Sequence, residues 1–255
     1  MKAKVWVLLL LTLAVVVAVF FIPPIPQPAA YHQFADARTL WDIPNALNVL
    51  SNLPFLLVGM WGLLVVRRAN FTDSRERLPY GVLFAGVAVT AFGSAYYHWA
   101  PDNDRLVWDR LPITFGFMGL FAGMVSERVS LRAGRTLLWP LVAAGVASVF
   151  YWHWTETQGA GDLRPYLLVQ FYPLLAIPFL MAVFRPRYSA GHYMIFAVLL
   201  YVAAKVFEIL DGPVFAALHQ VSGHTLKHLL AAGASACLVQ MVALRDPLLV
   251  SAEPR

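Results

Sequence analysis

Three histidines, a serine and an aspartate lie in strongly apolar stretches of this chain, at spacings that converge. Ser94-Ala-Tyr-Tyr-His98 comes first, with Asp109 eleven residues after the histidine, and His224-Thr-Leu-Lys-His228 follows more than a hundred residues later. On a helix, positions i and i+4 lie one above the other on a single face, so Ser94 stacks on His98 and His224 on His228. Ionisable residues inside membrane-spanning segments are costly and default to a functional reading. Three imidazoles with an open fourth position are how catalytic zinc is usually held. The His224/His228 pair alone also suits haem; His98 at matching depth is what turns it toward a metal ion.

The elements that must position these residues are membrane helices. The chain has 255 residues, 60% apolar and 13% charged, whereas a soluble domain rarely exceeds half apolar residues. Apolar runs of about 20 residues mark spanning helices, and eight are read near 5–22, 46–66, 79–99, 110–127, 136–153, 165–184, 191–210 and 224–244. The expected architecture is an all-α integral membrane protein, a seven-helix bundle over 46–245 preceded by one extra N-terminal helix. Residues 1–23 form the anchor, 24–45 a Pro-rich linker and 246–255 a tail. Met1–Ile22 has the basic start of a signal peptide, but its apolar run is long for a cleaved one. Pro23-Pro24-Ile25-Pro26-Gln27-Pro28 makes a poor cleavage site and a stiff, extended linker. The single cysteine, Cys237, excludes an internal disulfide and reads as a small core residue.

The excess charge of +5 does not indicate nucleic acid, because the basic residues follow the membrane. Lys2, Lys4, Arg67, Arg68, Arg75, Arg77, Arg128, Arg132, Arg135, Arg185, Arg187, Arg245 and Arg255 all fall on one side. The opposite loops hold only Arg38, Arg105, Arg110 and Arg164, while Lys205 and Lys227 fall within spans. This positive-inside pattern predicts both termini in the cytoplasm. His98, Asp109, His224 and His228 then share one depth near the non-cytoplasmic face. Asn45, Asn48, Ser51 and Asn52 form a polar stripe at the same depth, as do Glu208 and Asp211, with Lys205 one turn deeper. The stripe reads as interhelical glue and Lys205–Glu208 as an internal ion pair. His32, His153, His192 and His219 read as hydrogen-bonded packing residues. Trp41, Trp99, Trp108, Trp152 and Trp154 fit an interfacial belt. No glycine-rich phosphate loop, nucleophile elbow or dinucleotide fingerprint appears.

At these residues the chain resembles the alkaline ceramidases, within the superfamily of seven-helix membrane hydrolases that includes the adiponectin and progestin receptors. The matching pattern is Ser94-x3-His98, Asp109 with Pro112 after it, His224-x3-His228, and Asn48-x2-Ser51-Asn52, over roughly residues 40–245. The resemblance implies that His98, His224 and His228 carry zinc, that Asp109 acts on the bound water and that Ser94 assists the oxyanion. Chemistry supports those roles: zinc lowers the pKa of water and polarises a carbonyl, a carboxylate can relay its proton, and a hydroxyl can donate to an oxyanion. The chain departs from the family at Asn45, where a calcium-binding glutamate is expected. Only Asp36 and Asp42 remain nearby, which speaks against Ca2+. Lys227 replaces a family tryptophan, and the family disulfide cannot form.

The expected function is an intramembrane zinc amidohydrolase that cleaves the N-acyl amide of ceramide or a related lipid. A lipid-binding, receptor-like protein on the same scaffold is the alternative, and a b-type haem protein a third. The expected partners are a lipid substrate and the membrane.

Overall fold

The computed structural model describes residues 2–248; the remainder of the expected tail, 249–255 with Arg255, lies outside the described residues. Ten α-helices follow one another: α1 (Lys2–Phe21), α2 (Ala46–Leu50), α3 (Leu53–Arg68), α4 (Arg77–Trp99), α5 (Asn103–Arg128), α6 (Leu131–Thr157), α7 (Arg164–Val183), α8 (His192–Ile209), α9 (Asp211–Leu218) and α10 (Gly223–Ala243). Among the described residues there is no strand, only two isolated β-bridges.

Among the described residues seven segments are long and apolar enough to cross a membrane: α1, α2 with α3, α4, α6, α7, α8 and α10. The chain is therefore a helical membrane bundle. The eighth expected span, 110–127, lies in α5, which is 26 residues long but more polar than the rest. It packs against α4, α6 and α7 and buries Asp109, Arg110, Thr114 and Ser126. A helix wrapped by its neighbours turns polar groups inward rather than toward lipid, which lowers its mean hydropathy without moving it from the centre.

The first core span is broken where a continuous helix was expected. Pro54 at the start of α3 disfavours helical geometry in the residue before it and cannot donate a backbone bond. The chain re-enters the helix after Ser51 and Asn52, both buried. Asn45 caps α2 in the left-handed region at φ 47°, a conformation asparagine tolerates better than most residues. The short α9 was not expected. It carries Pro213 in its first turn, where a missing N–H costs nothing.

The α4–α5 crossing is closest at Gly93. A Cβ at Gly93 would come 2.0 Å from the Trp108 carbonyl oxygen, so only glycine lets the two backbones meet there. That contact brings the next residue, Ser94, to Asp109. The main core joins Tyr80, Phe84, Met124, Leu180 and Val239. At the far end, Arg245 forms an ion pair with Glu127 at 2.7 Å and lies over the rings of Phe71, Tyr80 and Tyr188.

Helix α1 lies on the periphery against α7, with Leu8 its one buried residue. Lys4 donates to the Val183 carbonyl at 2.8 Å and Thr12 bonds Tyr172. Trp41, Trp99, Trp108 and Trp154 are exposed, as belt residues should be. Trp152 is not a belt residue: it is fully buried, donates to Glu156 at 3.1 Å and lies beneath the Arg110 guanidinium. A ring near a helix end reads alike from sequence whether it faces lipid or the bundle.

Candidate metal centre

His98 reaches the centre from the last turn of α4, while His224 and His228 project from the first two turns of α10. All three are buried. Their ring centroids are mutually 4.8 Å apart, and one nitrogen from each lies within 4.8 Å of the others. Zinc–nitrogen bonds of about 2.0–2.1 Å would need ligand nitrogens roughly 3–4 Å apart, a spacing close to the one observed.

Hydrogen bonding argues for a cation. Both ring nitrogens of His98 and Nε2 of His224 are buried without a hydrogen-bond partner. An unsatisfied buried polar atom costs about 1–3 kcal/mol, and native interiors rarely tolerate several together. A metal ion at the centre would satisfy one nitrogen of His98 and Nε2 of His224. Phe34 packs 4.6 Å from the rings of both His98 and His224, closing that side. Three buried imidazoles are thus close enough to hold one metal ion.

The surrounding shell comes from the broken span and the linker. Ser51 Oγ lies 2.7 Å from Nδ1 of His228 and 3.2 Å from the Asn48 carbonyl oxygen. If the hydroxyl donates to that carbonyl, its oxygen accepts the imidazole N–H and the other ring nitrogen keeps its lone pair for a metal. Asn45 donates to the His98 carbonyl at 2.9 Å. Asn48 donates to the Asp36 carbonyl at 3.2 Å and accepts from Thr225 at 2.9 Å, while Asn52 bonds the Asn48 carbonyl at 2.7 Å. Asn45 and Asn48 therefore tie this segment to the helices that carry the three histidines.

Asp211 was passed over as a site residue. Its two carboxylate oxygens accept from the backbone N–H of His224 at 2.7 Å and of Ala35 at 2.9 Å, tying α10 to the linker that carries Phe34. Its sequence signals are its place at a helix end and its depth beside the histidines. Gly223 allows this approach, since a Cβ there would lie 2.2 Å from the Phe207 carbonyl oxygen. The linker is thus a cap, also held by His32 bonds of 3.0 Å to both Tyr97 and Asn103. Asp36 pairs with Arg38 at 2.8 Å, and hydrogen bonding from that guanidinium holds its carboxyl below the usual carboxylate range. His153 bonds Asp104 at 2.8 Å, His192 packs on Tyr193, and the His219 carbonyl accepts from Arg38.

A cavity of about 310 Å³ reaches the centre and is lined mostly by apolar side chains. His228, Asp109 and Ser94 all face it, and the Ser94 hydroxyl is within hydrogen-bonding reach of the Asp109 carboxyl. Lys205 and Glu208 form the expected internal ion pair. Lys227 joins it from α10, 2.8 Å from Glu208, so the pair is a triad across two helices. No family model matches this chain, and no curated protein matches it.

Proposed function

We propose that this protein is an intramembrane zinc-dependent amidohydrolase acting on N-acyl lipids, the class to which the resemblance to alkaline ceramidases points. One observation carries the reading: His228, a member of the buried His98–His224–His228 cluster, lines the same apolar cavity as Asp109 and Ser94. Zinc held by the three histidines would polarise the amide carbonyl and make water acidic near neutral pH. The chain's own groups do the rest. Asp109 accepts a proton from the attacking water and returns it to the nitrogen as the C–N bond breaks. Ser94 donates to the carbonyl oxygen as it gains charge. Water adds across the amide, giving a fatty acid and an amine. The apolar wall receives the acyl chain and Phe34 limits entry of bulk water.

The basic-residue pattern supports cytoplasmic termini and a site near the non-cytoplasmic face. Ceramide is the substrate the resemblance suggests. The purified chain should contain about one zinc per molecule and release fatty acid from at least one member of an N-acyl lipid panel that includes ceramide. Full zinc with lipid binding but no product would favour the receptor-like alternative, and a Soret band would favour haem.

A further inference from the structure

The polar end of the cavity carries more positive charge than its partners use. Three cations line it, Arg110, Lys205 and Lys227, against two carboxylates, Asp109 and Glu208. Glu208 is shared by both lysines and also receives the Tyr31 hydroxyl at 3.4 Å. Arg110 is buried, and no carboxylate among the described residues lies within ion-pairing distance of it. Its one side-chain hydrogen bond goes to the neutral Gln27 at 2.6 Å, and Nη1 has no partner. The guanidinium is fixed rather than floppy, because the rings of Trp152 and Tyr166 lie 4.1 and 4.7 Å from its carbon. A buried guanidinium with an unfilled donor is costly to maintain and is well formed for an anion.

The direction of the cavity says which part of a ligand meets it. The apolar wall runs along α5 from Asp109 past Leu120, about 16 Å of helix, and this is the end suited to an acyl chain. Arg110 and the lysine–glutamate triad lie at the other end, on the amine side of an amide held against Asp109. We infer that the preferred ligand carries an acidic group on its amine portion, as in an N-acyl amino acid, and that Arg110 binds that carboxylate. This rests on the reading of the cavity as an N-acyl amide site.

The test uses the detergent-purified full chain and two matched probes, N-palmitoylglycine and its neutral analogue N-palmitoylglycinamide. Direct binding should favour the acid by about tenfold or more, the size expected for a desolvated charge-assisted hydrogen bond. Arg110→Gln should erase the preference, and Arg110→Lys should keep part of it. Equal binding of the two probes to the wild-type chain overturns the inference without needing any variant. Hydrolysis is followed in parallel. Cleavage of the two probes without preference would leave the hydrolase reading standing and remove this one. Selective binding of the acid with no cleavage of any probe would do the reverse.

Discussion

The hydroxyl of Ser51 lies 2.7 Å from Nδ1 of His228, joining the break in the first core span to a histidine of the cluster on the last helix. Partners behind a metal-binding histidine fix its tautomer and ring angle, and losing one typically weakens metal binding 10- to 100-fold. Ser51→Ala should therefore lower zinc affinity by about that factor while the helical content stays native. Chelator competition measures it. Unaltered affinity would mean that packing against Phe55, whose ring centroid is 6.3 Å away, is enough to hold the imidazole.

Loss of any primary ligand should be far more severe. His98→Ala, His224→Ala and His228→Ala each leave two imidazoles, fewer than a stable catalytic zinc site needs. Elemental analysis of each variant should show loss of stoichiometric zinc, whereas His192→Ala, remote from the cluster, should retain it. Full zinc in all three ligand variants would refute the centre.

The histidine cluster was legible because i, i+4 spacing and matching depth are one-dimensional signals, and the spans were legible because lipid demands apolar runs. Most of what escaped depends on contacts between segments. Lys227 meets Glu208 from a different helix, and no spacing within one segment reveals that. Phe34 lies in a linker without periodicity, so its contact with two ligands depends on where Asp211 and Asp36 tie the chain down. The break at Ser51–Asn52 has a local signal in Pro54, masked by the continuous hydropathy around it. Trp152 and Arg110 illustrate the same limit: their stacking joins two helices.

Asp109 and Ser94 should separate by role. Asp109→Asn keeps the shape of the side chain but cannot accept the proton of water, so turnover should fall to background while zinc stays bound. Ser94→Ala removes a single oxyanion donor and should cost about 10²–10³ in kcat. Fatty-acid release by each purified variant decides the ranking. A larger loss for Ser94→Ala than for Asp109→Asn would exchange the two residues in importance, and wild-type rates for Asp109→Asn would exclude it as the base.

The cap gives the last prediction, a dependence on acid. Asp36 is buried against Arg38, and the guanidinium's hydrogen bonds, reinforced by its charge, hold the Asp36 carboxyl below its ordinary value. The folded-state pKa therefore lies under the unfolded one. The stabilisation is fully present above the unfolded carboxylate value, about 4, and is lost as pH falls through the depressed folded value. Above that range Asp36→Asn should melt at a lower temperature than wild type, and the gap should narrow in stronger acid because protonated Asp36 resembles the amide. Loosening the cap also draws Phe34 from His98 and His224, so Asp36→Asn should release zinc faster to a chelator at neutral pH. Thermal melts of both proteins across the acid range check the first part. A gap that stays constant to the lowest pH would show that the Asp36 charge contributes nothing to holding the cap.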